Sequence, residues 1–121
     1  MAVRPVRAYL ADMLDSVRDI EDFTREGQAA FFADRKTSAA VIRMYEVIGE
    51  VAKRLPDELL ETRPEVDWKA VKKFRDVLIH QYHSVDLALV WEAVTKLPTL
   101  RAAVEAMIAA VDAPPPDSPS E

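Results

Sequence analysis

An all-α antiparallel bundle of four or five helices is what this sequence predicts, on three observations. Apolar residues recur at steps of three and four along several long segments, the period of an amphipathic helix. The 121 residues include only two glycines and no obvious hairpin turn pairs, which argues against antiparallel strands. Pro56, Pro64 and Pro98 punctuate the later stripes, where helices are expected to end, start or kink.

The elements follow in order. Val3, Val6, Leu10, Met13, Leu14, Val17 and Ile20 mark a first helix, with Gly27 as its expected stop. Residues 29–34 read as a short helical turn docked through Phe31 and Phe32. Asp34, Thr37 and Ser38 compete to cap the next helix, because each offers a side-chain oxygen to an unpaired amide. That helix carries Val41, Met44, Ile48, Val51 and Leu55 and ends at Pro56, which suits the start of a short helix over Asp57 to Glu61. Asp67 is placed to cap a third long helix with Val71, Phe74 and Leu78 facing inward. Ser84 and Asp86 are the capping candidates for a fourth, bearing Leu87, Val90, Trp91, Val94 and Leu97. Pro98 breaks or kinks that run before Leu100, Val104, Met107, Ile108 and Val111 resume it. The segment 113–121, rich in proline and serine, cannot build a core and reads as a disordered tail after a helical domain spanning 1–112.

Composition narrows the function classes. The chain has no cysteine, which excludes disulfides and thiolate metal sites and fits a reducing, cytoplasmic setting. Acidic residues come early in the N-terminal segment, so it does not read as a signal peptide. No apolar run approaches the roughly 18 residues of a membrane span. A net charge of −5 opposes broad, non-specific nucleic-acid binding. A local basic cleft remains compatible with it, since screening makes phosphates respond to nearby charge.

Polar chemistry concentrates at Phe74-Arg75-Asp76-Val77-Leu78-Ile79-His80-Gln81-Tyr82-His83, which holds both histidines of the chain. Residues four apart share a helix face, so Asp76 is expected beside His80, accepting from an imidazole nitrogen. Such a partner fixes the tautomer and raises the histidine pKa, as suits proton exchange near neutrality. Arg75 and Tyr82 return to one face if the helix persists. Arg75 and His80, five apart, converge only if the helix end loosens or a second chain supplies a partner, which favours a composite site. Lys69, Lys72 and Lys73 form with Arg75 a basic patch that is either a solvated face or an approach for phosphates.

Plainer readings stand beside this one. Histidine at a helix C-terminus caps carbonyls and complements the dipole with no further role. Asp76, His80, His83 and Asp86 offer nitrogen and oxygen donors, so a metal reading also exists. Trp68 and Trp91 read as core or interface anchors rather than base-stacking platforms. Gly49, in mid-helix, implies a close helix approach, since glycine there otherwise costs about 1 kcal/mol against alanine.

The pattern Arg75-x4-His80-x-Tyr82 resembles the signature of the HEPN superfamily, in particular its HepT-like proteins. The flanks resemble them too: Val47-Ile48-Gly49-Glu50, Asp67-Trp68, Val85-Asp86, Val90-Trp91, and Leu97-Pro98 with Leu100. The likeness covers nearly the whole chain before the tail. Departures are Asp76, where asparagine is frequent, Lys73, where a small residue is common, and His83, where an aromatic is common. The resemblance implies a homodimeric HEPN-type bundle acting as a metal-independent RNase without cofactor. It also implies a toxin restrained by a cognate minimal nucleotidyltransferase antitoxin, which attaches adenylate to the matching tyrosine, here Tyr82. Carried onto this chain, His80 would be general acid or base, Arg75 the phosphate ligand, and Asp76 the residue orienting Arg75 or His80, with the four-residue spacing favouring His80. The alternative is a non-catalytic binding partner or substrate-binding accessory of a nucleotidyltransferase.

Overall fold

The computed structural model describes residues 4–81 and 83–114. Among them it forms seven helices and no strand: α1 (Val6–Phe23), α2 (Gln28–Ala33), α3 (Arg35–Arg54), α4 (Asp57–Leu60), α5 (Trp68–His80), α6 (Leu87–Thr95) and α7 (Leu97–Asp112). The expected all-α bundle is therefore present. Its central member is α3, which packs against α1 on one side and α5 on the other, while α1 in turn packs against α7.

The three- and four-step stripes become the core. Leu10, Met13, Val17 and Ile20 of α1 are buried, as are Val41, Ile48 and Ala52 of α3, Leu78 of α5, and Val104 and Met107 of α7. A fully buried aliphatic side chain of this kind contributes roughly 1.5–3 kcal/mol of transfer free energy. Val71 and Phe74 of α5 are only partly buried, packed at the margin of this core, and Phe74 lies edge-on to Tyr45.

Local chemistry sets the boundaries. α1 stops at Phe23, before the expected Gly27; at its C-cap both the amide and the hydroxyl of Thr24 donate to the Ile20 carbonyl, at 3.0 Å and 2.7 Å. Gly27 instead opens α2 with φ of 96°, a left-handed geometry that glycine adopts without a Cβ penalty. Of the two phenylalanines expected to dock α2, only Phe31 is buried, against Trp91; Phe32 remains 42% exposed, edge-on to Phe31.

Asp34 prevails among the three capping candidates of α3. Its carboxylate accepts from the Lys36 amide at 2.9 Å and the Thr37 hydroxyl at 3.0 Å. The Thr37 bond and then the Lys36 amide hold this carboxyl below its usual pKa. Asp67 and Asp86 cap α5 and α6 in the same way, accepting from Ala70 and Ala88 amides. Each such cap stabilises by about 1 kcal/mol. Pro98 separates α6 from α7 by falling in the first turn of the latter, where its missing N–H costs nothing.

Trp68 is buried and its indole N–H donates to the Arg63 carbonyl at 3.0 Å, fixing the entry to α5. No helix among the described residues is long and apolar enough to cross a membrane. Residues 115–121, most of the expected tail, lie outside the described residues, as does Tyr82.

Candidate active site

Gly49 determines where Arg75 can lie. A Cβ on Gly49 would stand 2.2 Å from the Cβ of Arg75, a distance no side chain tolerates, and a tight 3.2 Å from the Val71 carbonyl oxygen. The missing side chain lets the backbone of α5 settle onto α3. Arg75 is thereby pressed against α3, its side chain only 28% exposed. The close approach expected from a mid-helix glycine is thus present, and its contact is the motif arginine itself.

Carboxylates then take both terminal nitrogens of the guanidinium. Nη2 of Arg75 lies 3.0 Å from Oε1 of Glu50, and Nη1 lies 3.0 Å from Oδ1 of Asp76. Glu50 also accepts from Arg54 Nη2 at 3.1 Å. The same Asp76 oxygen accepts from Lys53 Nζ at 2.5 Å. Arg54, Glu50, Arg75, Asp76 and Lys53 therefore form one alternating chain across α3 and α5. It holds three cations and two carboxylates, so the cluster is net positive in an acidic protein. Lys53 first and Arg75 second hold the Asp76 carboxyl below its ordinary pKa.

This arrangement corrects one expectation. Asp76 turns to Lys53 and Arg75; among the described residues it makes no hydrogen bond with His80. The four-residue spacing does bring Asp76 and His80 onto one side of α5. However, two full positive charges attract a carboxylate more strongly than an imidazole at the solvated end of a helix. Of the two residues that Asp76 was expected to be able to orient, the structure pairs it with Arg75.

His80 is the last residue of α5 and is exposed, followed by Gln81 as the helix C-cap. At 3.6 residues per turn, it projects about 140° around the helix from Arg75. The two motif residues are thus presented by one helix but not to one point. Lys69 and Lys73 are exposed on the His80 side, whereas Lys72 reaches α4 and pairs with Asp57 at 3.6 Å. The expected basic patch is therefore divided: Arg75 faces α3, Lys72 faces α4, and Lys69 and Lys73 face outward.

Beside the motif runs a groove of about 550 Å³, lined by apolar residues of α5 and α6 such as Val71, Phe74, Val77, Leu89 and Ala93, with Tyr45 of α3. Tyr45 is buried, and its desolvated hydroxyl is pushed well above its usual pKa. Leu89 leaves 52% of its surface uncovered at the edge of this groove. Among the described residues, no group of three or more histidine, aspartate or glutamate side chains is gathered to hold a metal. Asp76, His80, His83 and Asp86 are accordingly not brought together as a ligand set.

Sequence reasoning missed three members of this site, Glu50, Lys53 and Arg54. Glu50 stood within the recognised Val47–Glu50 run, directly after the glycine that admits Arg75. Its one-residue offset from Gly49 was the available signal. Lys53 gave none, because only the packing of α3 on α5 brings it to Asp76.

Comparison with known proteins identifies the family. The family model described as ribonuclease HepT-like matches residues 13–107. A protein of Methanocaldococcus jannaschii, provisionally named an RNase, is 42% identical over 95 residues, covering 78% of each chain. A protein of Thermococcus cleftensis named probable ribonuclease HepT is 38% identical over 104 residues, covering 84% of this chain and 94% of that one. No solved structure matches at comparable significance. The matched span contains α3 and α5 entire, with Gly49, Arg75 and His80, and on this basis the chain belongs to the HepT-like family of the HEPN superfamily.

Proposed function

We propose that this chain is a metal-independent ribonuclease whose active cleft is shared between two copies. The observation that carries this reading is the unequal presentation of the motif by α5. Arg75 is anchored through Gly49 with its charge fixed by Glu50 and Asp76, while His80 stands exposed at the helix end. A second copy related by a two-fold axis would bring its own Arg75 and His80 to the same cleft.

In such a cleft His80 exchanges the proton of the ribose 2′-hydroxyl or of the leaving oxygen. Arg75 binds the scissile phosphate and stabilises the charge that builds on its oxygens. Asp76 acts as a positioning residue for Arg75. Lys69 and Lys73 approach the RNA backbone from outside. The direct test is cleavage of single-stranded RNA by the purified protein in excess chelator. Activity should persist in chelator and be lost in Arg75→Ala and in His80→Ala, with helical circular dichroism retained. Cleavage unchanged in both variants would rule out this assignment.

We further propose a place in a toxin–antitoxin pair, with a minimal nucleotidyltransferase as the partner, as the resemblance of Arg75-x4-His80-x-Tyr82 to HepT-like proteins implies. On this reading the transferase silences the site by attaching adenylate to Tyr82, two residues beyond His80 in the sequence. AMP there adds bulk and negative charge where a phosphate must approach, disfavouring substrate by occlusion and repulsion. Incubation with the neighbouring transferase, ATP and magnesium should add AMP masses to the intact protein. Undiminished addition to Tyr82→Phe would move the modification elsewhere. The alternative, a non-catalytic accessory of a nucleotidyltransferase, predicts tight partner binding without cleavage.

A further inference from the structure

The alternating charge chain across α3 and α5 assigns a role to a residue outside the motif. We infer that Lys53 of α3 is a second phosphate-binding residue, set beside Arg75 through the Asp76 carboxylate that both share. This rests on the RNase reading above and names a further protein contact to the substrate backbone.

Three features carry it. Lys53 Nζ and Arg75 Nη1 meet the same oxygen, Oδ1 of Asp76, at 2.5 Å and 3.0 Å, so the two cations are held as neighbours at one point. Lys53 keeps 34% of its side-chain surface exposed, slightly more than Arg75 at 28%. A lysine ammonium has three donors and gives one to Asp76, which leaves donors for an incoming phosphate. Finally, Asp76 lies between Arg75 and His80 around α5, so Lys53 reaches from α3 into the sector that separates the two motif residues. A backbone phosphate bound to Arg75 would lie beside it, whichever chain supplies the histidine.

The arrangement also explains why two carboxylates sit in an anion site. Arg54, Arg75 and Lys53 outnumber Glu50 and Asp76. Without carboxylates between them the cations would repel one another and splay; with them, a net positive charge remains for the ligand. Asp76 accordingly spaces Lys53 and Arg75, and the phosphate completes the charge balance.

Counterion release reads this role directly. Each phosphate neutralised on a single strand adds about 0.7 to the slope of log K against log salt. The probe is a single-stranded RNA oligonucleotide methylated at its 2′-hydroxyls, which binds without cleavage, followed by fluorescence anisotropy over a salt series. Lys53→Met should lower the slope by roughly 0.7 and weaken binding at low salt. Lys53→Arg, which keeps the charge, should retain the wild-type slope. Lys36→Met, at the far end of α3, should leave it unchanged and control for total charge.

An unchanged slope in Lys53→Met, with the wild-type protein binding normally, overturns the inference while leaving the RNase reading intact. Equal loss in Lys53→Met and Lys53→Arg also overturns it, because Lys53 would then act only by holding Asp76. Failure of the wild-type protein to bind the oligonucleotide overturns the RNA reading itself and this inference with it.

Discussion

Arg75 and His80 stand five residues apart on one helix and occupy opposite physical situations. Around Arg75, the helix is clamped to α3 by a glycine contact, and the guanidinium is held by carboxylates from two elements. Around His80, the helix is ending, the side chain is exposed, and the next capped helix begins only at Leu87. The contrast matches the work proposed for each. A group that stabilises developing charge acts best when fixed beforehand, since no reorganisation is then needed as the reaction proceeds. A group that gives and takes protons has to reach both solvent and substrate.

The strongest way to break this contrast is to push Arg75 off α3. Gly49→Ala raises helix propensity by about 1 kcal/mol, so an open site would make the protein more stable. Here the new Cβ meets the Cβ of Arg75 at 2.2 Å, and overpacking of this kind costs typically 1–3 kcal/mol. We expect a melting temperature lowered by several degrees, as about 1 kcal/mol moves a small domain by roughly 4–8 °C. RNA cleavage should fall more steeply than stability, because Arg75 is displaced before the core is. Raised stability with activity intact would show that α5 is not anchored at this point.

A milder probe leaves the packing alone and titrates the carboxylate. Lys53 and then Arg75 hold the Asp76 pKa below the ordinary carboxylate value near 3.9. A depressed pKa in the folded state contributes stability above the unfolded pKa and loses it as pH falls through the folded value. The Asp76 pairing should therefore be complete at neutral pH and disappear only in the acid range below about 3.9. Because Asp76 is substantially exposed, solvent screening keeps the stability effect small. Carboxyl-detected NMR of Asp76 should show a midpoint below that of a model aspartate in wild type, moved upward in Lys53→Met. A midpoint equal to that of a free aspartate side chain in wild type would mean that the network is not populated in solution.

How much of this was legible follows the range of the interactions. The helices were readable because their signals are local: the apolar steps of α1, α3 and α7, the caps Asp34, Asp67 and Asp86, and the break before Pro98. Gly49 announced a close contact, although not with which residue. The pairing of Asp76 was not readable from spacing. Helical geometry favoured His80 one turn away, and only the packing of α3 on α5 supplied Lys53 as a stronger partner. Lys53 escaped notice for the same reason, since a salt-bridge partner 23 residues away leaves no periodic trace. The division of the lysines was equally hidden, because Lys72 is drawn aside by Asp57 of a helix four residues long.

If anchored arginine and exposed histidine belong to one reaction but to different chains, two crippled subunits should repair each other. Arg75→Ala and His80→Ala proteins, each inactive alone, are mixed under conditions that exchange subunits, verified by native mass spectrometry, and assayed on single-stranded RNA in chelator. In the mixed dimer one cleft regains Arg75 from one chain and His80 from the other, so a clear fraction of wild-type cleavage should return. Verified mixed dimers that stay as inactive as their parents would place both residues of each working site on a single chain and contradict the shared cleft.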